Sequence, residues 1–352
     1  MSNAKYAFIS AYLKGAEAKV LTSEHVERMS RISNVQDVVS SVREVLDIIS
    51  DTEAGGYLEE ALVRTFDDAD RYLWLYFGHC LGHLEWLKLV PDDMRQVLRA
   101  YLVKYDVINI KATLQGMTVG KKASLIPVGV IHHQGQLDEL ARAETVADVT
   151  QLLRLCNLGD YADLLQGYSL EDARSRFLAE ARLEGKYYEN LLRVSRKITD
   201  GSLLAKAFGV MIDMTNLALV GRAVVEGVTA EASEVIIKGG YMISPEVAKD
   251  LLGEKLTDLA SAPGVSHYRE VAEEIASGYQ RAKSITIVEE VIDRYRFRWL
   301  KDLLSPRVLT PLVLAWYLIV KEAEVRNLRL IMKATFDAIP VAEIKEYLVS
   351  AW

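Results

Sequence analysis

The sequence predicts an all-α protein made of three tandem, homologous helical domains. Between residues 98 and 114, apolar side chains recur every three or four positions, as expected for one buried face of a helix. Strand signals are weak, because the two short apolar stretches that could form strands, 124–136 and 234–244, are both interrupted by glycine. The tandem organisation follows from a motif that returns three times along the chain.

The repeated motif pairs an acid with an asparagine three residues later, followed by an aliphatic residue. Its members are Asp106 and Asn109, Asp213 and Asn216, and Glu324 and Asn327. The asparagines lie 107 and 111 residues apart. A second marker recurs at intervals of 111 and 110 residues, at Asp37, Asp148 and Asp258. Two markers in one register predict three domains, at 1–140, 141–250 and 251–352, of which the last is the shorter.

Prolines mark several of the expected helix starts. Ser244-Pro245-Glu246 places a capping residue before a proline at the first helical position, with an acid in the first turn. Ser305-Pro306 and Thr310-Pro311 have the same form. A helix is therefore expected to begin at each of these three positions.

Residues 71–90 are apolar around the whole circumference of the helix that their spacing predicts. A helix of this kind is either buried or partly covered by another protein. Burial between domains and a surface for a partner are both compatible with the sequence.

Composition disfavours several classes of function. The 352 residues carry a formal net charge of −7, whereas nonspecific binding to nucleic acid requires a dominant basic field. Two cysteines in so long a chain favour a reducing compartment over a disulfide framework.

The first fifteen residues have no secretory-signal pattern. The uncharged stretch 308–320 is too short for a bilayer, which needs about 20 apolar residues, so we expect no part of the chain to cross a membrane unaided.

The repeated acid and amide lie on one helix face, because residues three apart are neighbours on a helix. An active site is one interpretation of this pairing. A structural role is the favoured one, since an enzyme seldom needs its site three times. A buried asparagine is tolerated when it hydrogen-bonds to backbone groups of a neighbouring helix or loop.

Two other motifs have partial similarity to sites for a metal or a phosphate. His79 and His83 lie one turn apart, but a catalytic zinc helix needs a glutamate where Cys80 stands, and the pair His132-His133 lies in a separate segment. A metalloenzyme centred on His79 and His83 is thus a minor alternative. The stretch 116–122 is not a phosphate-binding loop, because it has three residues between its glycines where the motif needs four.

Basic and aromatic residues alternate between positions 294 and 299, a pattern known from nucleic-acid surfaces. On a helix the alternation disappears, and Arg294, Arg298 and Lys301 form one stripe. This stripe is interpreted as a solvated basic face, or as an electrostatic contact with an acidic protein partner.

Four segments carry a resemblance to a known family. They are residues 12–29 (YLKGAEAKVLTSEHVERM), 101–116 (YLVKYDVINIKATLQG), 208–222 (FGVMIDMTNLALVGR) and 321–334 (KEAEVRNLRLIMKA). With the three acid–asparagine pairs in register, the chain resembles the C subunits of archaeal and bacterial A/V-type ATPases, which are relatives of the d subunits of vacuolar proton pumps.

The resemblance implies a funnel of three similar helical domains around a pseudo-threefold axis. In that family the funnel caps the cytoplasmic side of the membrane ring of proteolipid subunits, and its cavity receives the central-stalk subunits. The resemblance implies a peripheral location at the cytoplasmic face of the membrane, and it implies no catalytic residue, cofactor, small-molecule substrate or nucleic-acid partner. The glycine-bearing inserts after Asn109 and Asn216 are candidates for partner contacts. A helical-repeat scaffold for another assembly is the alternative, since three repeats alone indicate only stacked units.

Overall fold

The computed structural model describes residues 4–32, 35–86 and 90–349. Every regular element in these ranges is helical and none is a strand, which confirms the all-α prediction. The α-helices are α1 (Ala7–Glu17), α2 (Ser23–Met29), α3 (Val38–Ile48), α4 (Glu53–Glu59), α5 (Phe66–Trp86), α6 (Asp92–Val119), α7 (Val130–His133), α8 (Leu137–Arg142), α9 (Val146–Leu155), α10 (Gly159–Ala162), α11 (Ala173–Ser195), α12 (Gly201–Glu226), α13 (Thr229–Ala232), α14 (Pro245–Leu251), α15 (Arg269–Ala282), α16 (Thr286–Leu304), α17 (Leu312–Phe336) and α18 (Val341–Ile344).

Short 3-10 helices complete the described part of the chain. They span Ala4–Tyr6, Asp163–Leu165, Leu259–Ser261, Pro263–Tyr268 and Lys345–Tyr347. The two stretches with weak strand signals, 124–136 and 234–244, contain turns, bends and one helical turn, α7. Several of their backbone groups hydrogen-bond to side chains of neighbouring helices, as described below.

Two of the three proline-marked helix starts agree with the structure. Ser244 caps α14 by accepting a hydrogen bond from the N–H of Val247, and Pro245 is the first helical residue. Pro311 precedes α17 directly. The prediction at Ser305-Pro306 was wrong, because this pair follows the end of α16 at Leu304. The proline ring disfavours helical geometry at the preceding residue, so the same dipeptide ends a helix as readily as it precedes one.

The described residues form two compact units. One contains residues 1–95 and 297–352, and the other contains residues 96–296, so that the divisions fall inside α6 and α16. The three predicted domains, 1–140, 141–250 and 251–352, stay a prediction.

The first unit is built around α17. This helix packs against α1, α3 and α5 and buries residues on every side, among them Trp316, Leu318 and Ile319. The sequence of helix α5 is apolar around its whole circumference, but only part of that circumference is buried. Leu73 and Phe77 are buried, whereas His79 and His83 are exposed. The helix is therefore amphipathic, with one face in the core and the other on the surface of the unit.

The second unit is built around α12, which packs against α11, α13 and α14. Among the described residues, α12 is the one helix long and apolar enough to cross a membrane by length and composition. However, 72% of its most apolar stretch is buried inside the protein. Burial in the core of this unit accounts for its apolar character, as it does for many helices that are hydrophobic all round.

Candidate functional site: three acid–asparagine clasps

Each repeated asparagine makes the same pair of hydrogen bonds to the backbone of one residue. The amide Nδ2 donates to a carbonyl and Oδ1 accepts from the N–H of that same residue, at distances of 2.7–2.9 Å. The pairs are Asn109 with Ile126, Asn216 with Ile237, and Asn327 with Val349. All three asparagines are buried. A buried amide side chain that uses both its donor and its acceptor on one peptide residue fixes that residue in place without burying an unpaired polar group.

The acids of the motif also bind backbone N–H groups, and we call each acid–asparagine pair with its backbone recipients a clasp. In clasp 1, Asp106 accepts hydrogen bonds from the N–H groups of Val130 and Ile131, at 2.8 and 2.9 Å. Val130 and Ile131 are the first two residues of α7. The carboxylate lies against Gly129, whose φ is +110° and where an added Cβ would stand 2.5 Å from Oδ1. Only glycine combines that backbone geometry with so close an approach.

In clasp 2, Asp213 accepts three backbone hydrogen bonds, from Tyr241, Met242 and Ile243, at 2.7–3.1 Å. The hydroxyl of Tyr268 donates a fourth, at 2.8 Å. A Cβ on Gly240 would stand 2.2 Å from Oδ1 of Asp213, so this carboxylate too is enclosed by backbone that leaves no room for a side chain.

In clasp 3, Glu324 takes the place of aspartate and has a different set of partners. Its Oε1 accepts a hydrogen bond from the N–H of Leu21 at 2.9 Å, and its Oε2 accepts one from the hydroxyl of Tyr76 at 2.9 Å. Oε2 also forms an ion pair at 3.0 Å with Lys321, one turn earlier on α17. Lys321 is fully buried and contacts Glu53 at 2.8 Å and the Tyr76 hydroxyl. Clasp 3 therefore contains a buried counter-ion beside its acid.

The three acids bind residues in corresponding places. Ile131, Ile243 and Leu21 each lie within two residues of the start of a helix, and each lies 15–17 residues before a second marker, Asp148, Asp258 or Asp37 respectively. The acid of each motif thus binds backbone at a similar distance before one of the second markers, and for Glu324 that marker is Asp37. The sequence motif alone did not identify these recipients, although their similar offset from the second marker was a signal that could have found them.

The environments of the acids change their affinity for protons. Burial raises the pKa of Asp106 to about 7, although the hydrogen bonds from Ile131 and Val130 favour the charged form. Burial likewise raises the pKa of Asp213 against the opposing effect of its backbone and Tyr268 donors. Burial would lower the pKa of Lys321, but the charges of the Glu324 and Glu53 carboxylates outweigh it, and the pKa is raised.

The second markers lie at helix starts, but in different positions. Asp37 caps α3 by accepting a hydrogen bond from the N–H of Ser40 at 3.2 Å. Asp148 lies in the first turn of α9, where it forms a capping box with Thr145. Asp258 precedes the 3-10 helix Leu259–Ser261 and makes no side-chain cap there. All three therefore mark a helix start, and two of them stabilise it directly.

The basic stripe is not uniformly exposed. Arg294 is partly buried and forms an ion pair with Glu274 on α15. Arg298 is exposed, and Lys301 is partly exposed. The neighbouring Arg296 pairs with Asp293 at 2.8 Å. Arg294 thus has a partner within the chain, which sequence spacing on α16 could not reveal because Glu274 lies on another helix.

Comparison with known proteins identifies the chain's relatives. The family described as ATP synthase (C/AC39) subunit matches residues 9–347, a span that includes all three acid–asparagine pairs. The chain belongs to this family. The resemblance to the C subunits of A/V-type ATPases is thereby confirmed.

Three of the chain's relatives in this family are C subunits of A-type ATP synthases from archaea. The A-type ATP synthase C subunit of Methanocaldococcus jannaschii is 27% identical, over 99% of this chain and 87% of that protein. That of Methanothermobacter thermautotrophicus is 29% identical over 74% of this chain and 70% of that protein. The C subunit of Pyrococcus abyssi is 25% identical, over 97% of this chain and 89% of that protein.

The two histidines on α5 pack against aromatic side chains of the first unit. The His79 ring packs 5.9 Å from the ring of Tyr57, and the His83 ring packs 6.0 Å from that of Tyr12. Within residues 4–32, 35–86 and 90–349, no group of three or more histidine, cysteine, aspartate or glutamate side chains is close enough to hold a metal ion. The aromatic contacts give both imidazoles a packing role at the surface of the first unit.

Proposed function

We propose that this chain is the non-catalytic adaptor in the rotor of an A/V-type ATPase. In this role it links the central-stalk subunits to the proteolipid ring of the membrane and transmits torque between them. Membership in the ATP synthase (C/AC39) subunit family and similarity to the C subunits of A-type ATP synthases support the proposal.

The clasps are the observation that carries this proposal, because a torque adaptor must resist deformation. Each clasp fixes backbone from outside its own helix to the middle of a long helix at two points, through an asparagine and an acid that are both buried. Buried, fully satisfied polar contacts of this kind make a structure more rigid. Within each unit, close-packed helices also have low compressibility.

The geometry of the acids supports a structural role over a catalytic one. Asp106, Asp213 and Glu324 are fully buried, and their oxygens face backbone N–H groups, a tyrosine hydroxyl or Lys321. A general acid or base must come within hydrogen-bonding reach of a substrate. Groups that are enclosed by their own backbone do not meet that requirement, so the motif stabilises the fold three times and is not an active site repeated three times.

The proposed location follows from the proposed role. An adaptor bound to the cytoplasmic end of a proteolipid ring is peripheral to the membrane and held there by the complex. The exposed Arg298 and the partly exposed Lys301 are candidates for electrostatic contacts with an acidic neighbour in that complex.

Native mass spectrometry of the tagged chain, captured from gently solubilised host membranes, tests the proposal. We expect central-stalk subunits and proteolipid subunits to accompany one copy of the chain. A monomer that carries neither, and that does not bind stalk subunits when they are added back, would contradict the adaptor role. The helical-repeat scaffold for another assembly would then be the better interpretation.

A further inference from the structure

A groove with a volume of about 580 Å³ lies on the surface of the second unit, between α11 and residues 234–239. Its floor is apolar and consists of side chains from both walls. These are Ala181, Leu192, Val235, Ile236 and Ile237, all of which are buried. Gly185, in the middle of α11, leaves the floor open, because a Cβ at this position would meet only Ile237, at 3.9 Å.

The wall opposite α11 is held in place by clasp 2. Asn216 binds the backbone of Ile237 through both of its polar atoms, and Asp213 binds the backbone of residues 241–243 just beyond it. Segment 234–239 therefore has a fixed conformation although it is not helical. A rigid surface binds a partner at a lower entropic cost than one that must first become ordered.

Charged side chains surround the apolar floor, and basic ones outnumber acidic ones. The charged residues that line the groove are Arg182, Lys186, Arg196, Lys238, Glu189 and Glu234. Lys186 is paired with Asp160 at 3.3 Å and with Glu189 at 3.5 Å. Within the described ranges, Arg182 and Arg196 form no ion pair, and both are exposed. The groove thus has a local excess of positive charge on a chain whose formal net charge is −7.

We propose that this groove, which we call the α11 groove, is a docking surface for an acidic segment of a central-stalk subunit. The segment places an apolar side chain on the floor beside Gly185 and acidic side chains toward Arg182, Arg196 and Lys238. This inference rests on the proposed adaptor function and specifies one of its contacts. An apolar anchor surrounded by complementary charges is a common arrangement in specific protein interfaces.

The sign of the charge favours a stalk subunit over the proteolipid ring as the occupant. Cytoplasmic loops of membrane proteins carry an excess of lysine and arginine. Such loops would be repelled by the basic rim of the α11 groove. An acidic segment of a subunit outside the membrane is the occupant whose charge is complementary.

Two groove variants of the full-length chain test the proposal. Gly185→Leu fills the floor without a backbone clash, and its matched control is Gly82→Leu, at a helical glycine on α5 with nothing within 4 Å. The double variant Arg182→Glu/Lys238→Glu reverses the rim charge. Its matched control is Arg193→Glu/Lys197→Glu, which makes the same charge change at exposed positions that do not line the groove.

Binding of each variant to the purified central-stalk subunits of the same complex is measured by calorimetry at two salt concentrations, and binding to the purified proteolipid ring is measured alongside. We expect both groove variants to lose affinity by about tenfold or more, and both controls to stay within about twofold of wild type. The wild-type affinity should fall at higher salt, whereas that of Arg182→Glu/Lys238→Glu should change less. Circular dichroism confirms that all four variants are folded.

The outcomes separate the groove from the adaptor role. If wild type binds the stalk subunits and the groove variants bind equally well, the α11 groove is not the docking surface and the adaptor role stands. If the groove variants lose binding to the proteolipid ring and keep the stalk, the proposed occupant is wrong. If folded wild type binds no stalk subunit, the adaptor role itself is contradicted.

Discussion

The backbone N–H of Leu21 donates a hydrogen bond to Oε1 of Glu324, which lies 303 positions further along the chain. In clasps 1 and 2, all the backbone recipients belong to one short continuous segment, 126–131 or 237–243. In clasp 3 the recipients are Val349 and Leu21, which belong to distant parts of the sequence. Clasps 1 and 2 therefore each bind one continuous segment, whereas clasp 3 binds two segments that are distant in the sequence.

This difference predicts how the clasps open. Ile126 and Ile131 are close in sequence, so we expect their amides to exchange with one common free energy of opening, and Ile237 and Ile243 to share another. Leu21 and Val349 should have two different values, because either can be released without the other. Native-state hydrogen exchange at increasing denaturant concentration measures these values. A common opening free energy and a common denaturant dependence for Leu21 and Val349 would contradict the prediction.

Removing a clasp amide should destabilise the unit that contains it. Asn216→Ala leaves the N–H and the carbonyl of Ile237 buried without their partners, which we expect to cost about 2–4 kcal/mol of unfolding free energy. Urea denaturation measures this change. The control is Asn190→Ala, whose amide makes only long hydrogen bonds, one to the hydroxyl of Tyr161 at 3.3 Å and one from the exposed Arg193 at 3.5 Å, and which should cost less than about 1 kcal/mol. Equal effects for the two variants would show that the clasp contributes no special stability.

The raised pKa of Asp106 predicts a stability that falls as the pH rises. Its pKa is about 7 in the folded protein and about 3.9 in an unfolded chain. Between these values the folded state binds more protons than the unfolded state, so increasing pH favours unfolding. From pH 5 to pH 8, Asp106 should reduce the unfolding free energy by about 2–3 kcal/mol.

Asp106→Asn isolates this contribution, because asparagine does not titrate and every other acid, including Asp213, is retained. We expect the stability of wild type, measured relative to the variant by urea denaturation, to decrease between pH 5 and pH 8. A difference between the two proteins that is constant over this range would mean that Asp106 is ionised throughout it.

The helices and the repeated asparagines were predictable from the sequence because both depend on local signals. Helical spacing and caps such as Ser244 act over a few residues. The spacing of the motif also indicated that Asn109, Asn216 and Asn327 have a common environment. The residues that bind them were not predictable in the same way, since the sequence separation between each asparagine and its recipient differs: 17, 21 and 22 positions.

Contacts between distant elements account for what the sequence did not reveal. Arg294 belongs to a predicted basic stripe, but its ion pair with Glu274 depends on how α15 packs against α16. Lys321 is a second example. It lies three residues before the acid of the third motif, but its contacts with Glu53 and Tyr76 join distant parts of the chain and cannot be deduced from the spacing of residues. Such networks arise from tertiary packing, which neither spacing nor composition describes.

The ion pair inside clasp 3 gives the last prediction. Lys321 and Glu324 are both fully buried and 3.0 Å apart. Lys321→Met removes the counter-ion and leaves the Glu324 carboxylate buried without it, which we expect to cost about 3–5 kcal/mol of unfolding free energy. The double variant Lys321→Met/Glu324→Gln removes both charges and should recover part of this loss, because no unpaired charge then remains buried. Urea denaturation of the two variants at pH 7 measures both effects.

An exposed pair on the same helix provides the control. Lys333 and Asp337 form an ion pair at 2.8 Å, with 50% and 41% of their side chains exposed. Lys333→Met should change the unfolding free energy by less than about 1 kcal/mol, because water solvates the aspartate that remains. A double variant as unstable as Lys321→Met alone would show that the uncompensated Glu324 charge is not the cause of the loss. The loss would then come from the other contacts of the Lys321 ammonium group, to Glu53 and the Tyr76 hydroxyl, which both variants lack.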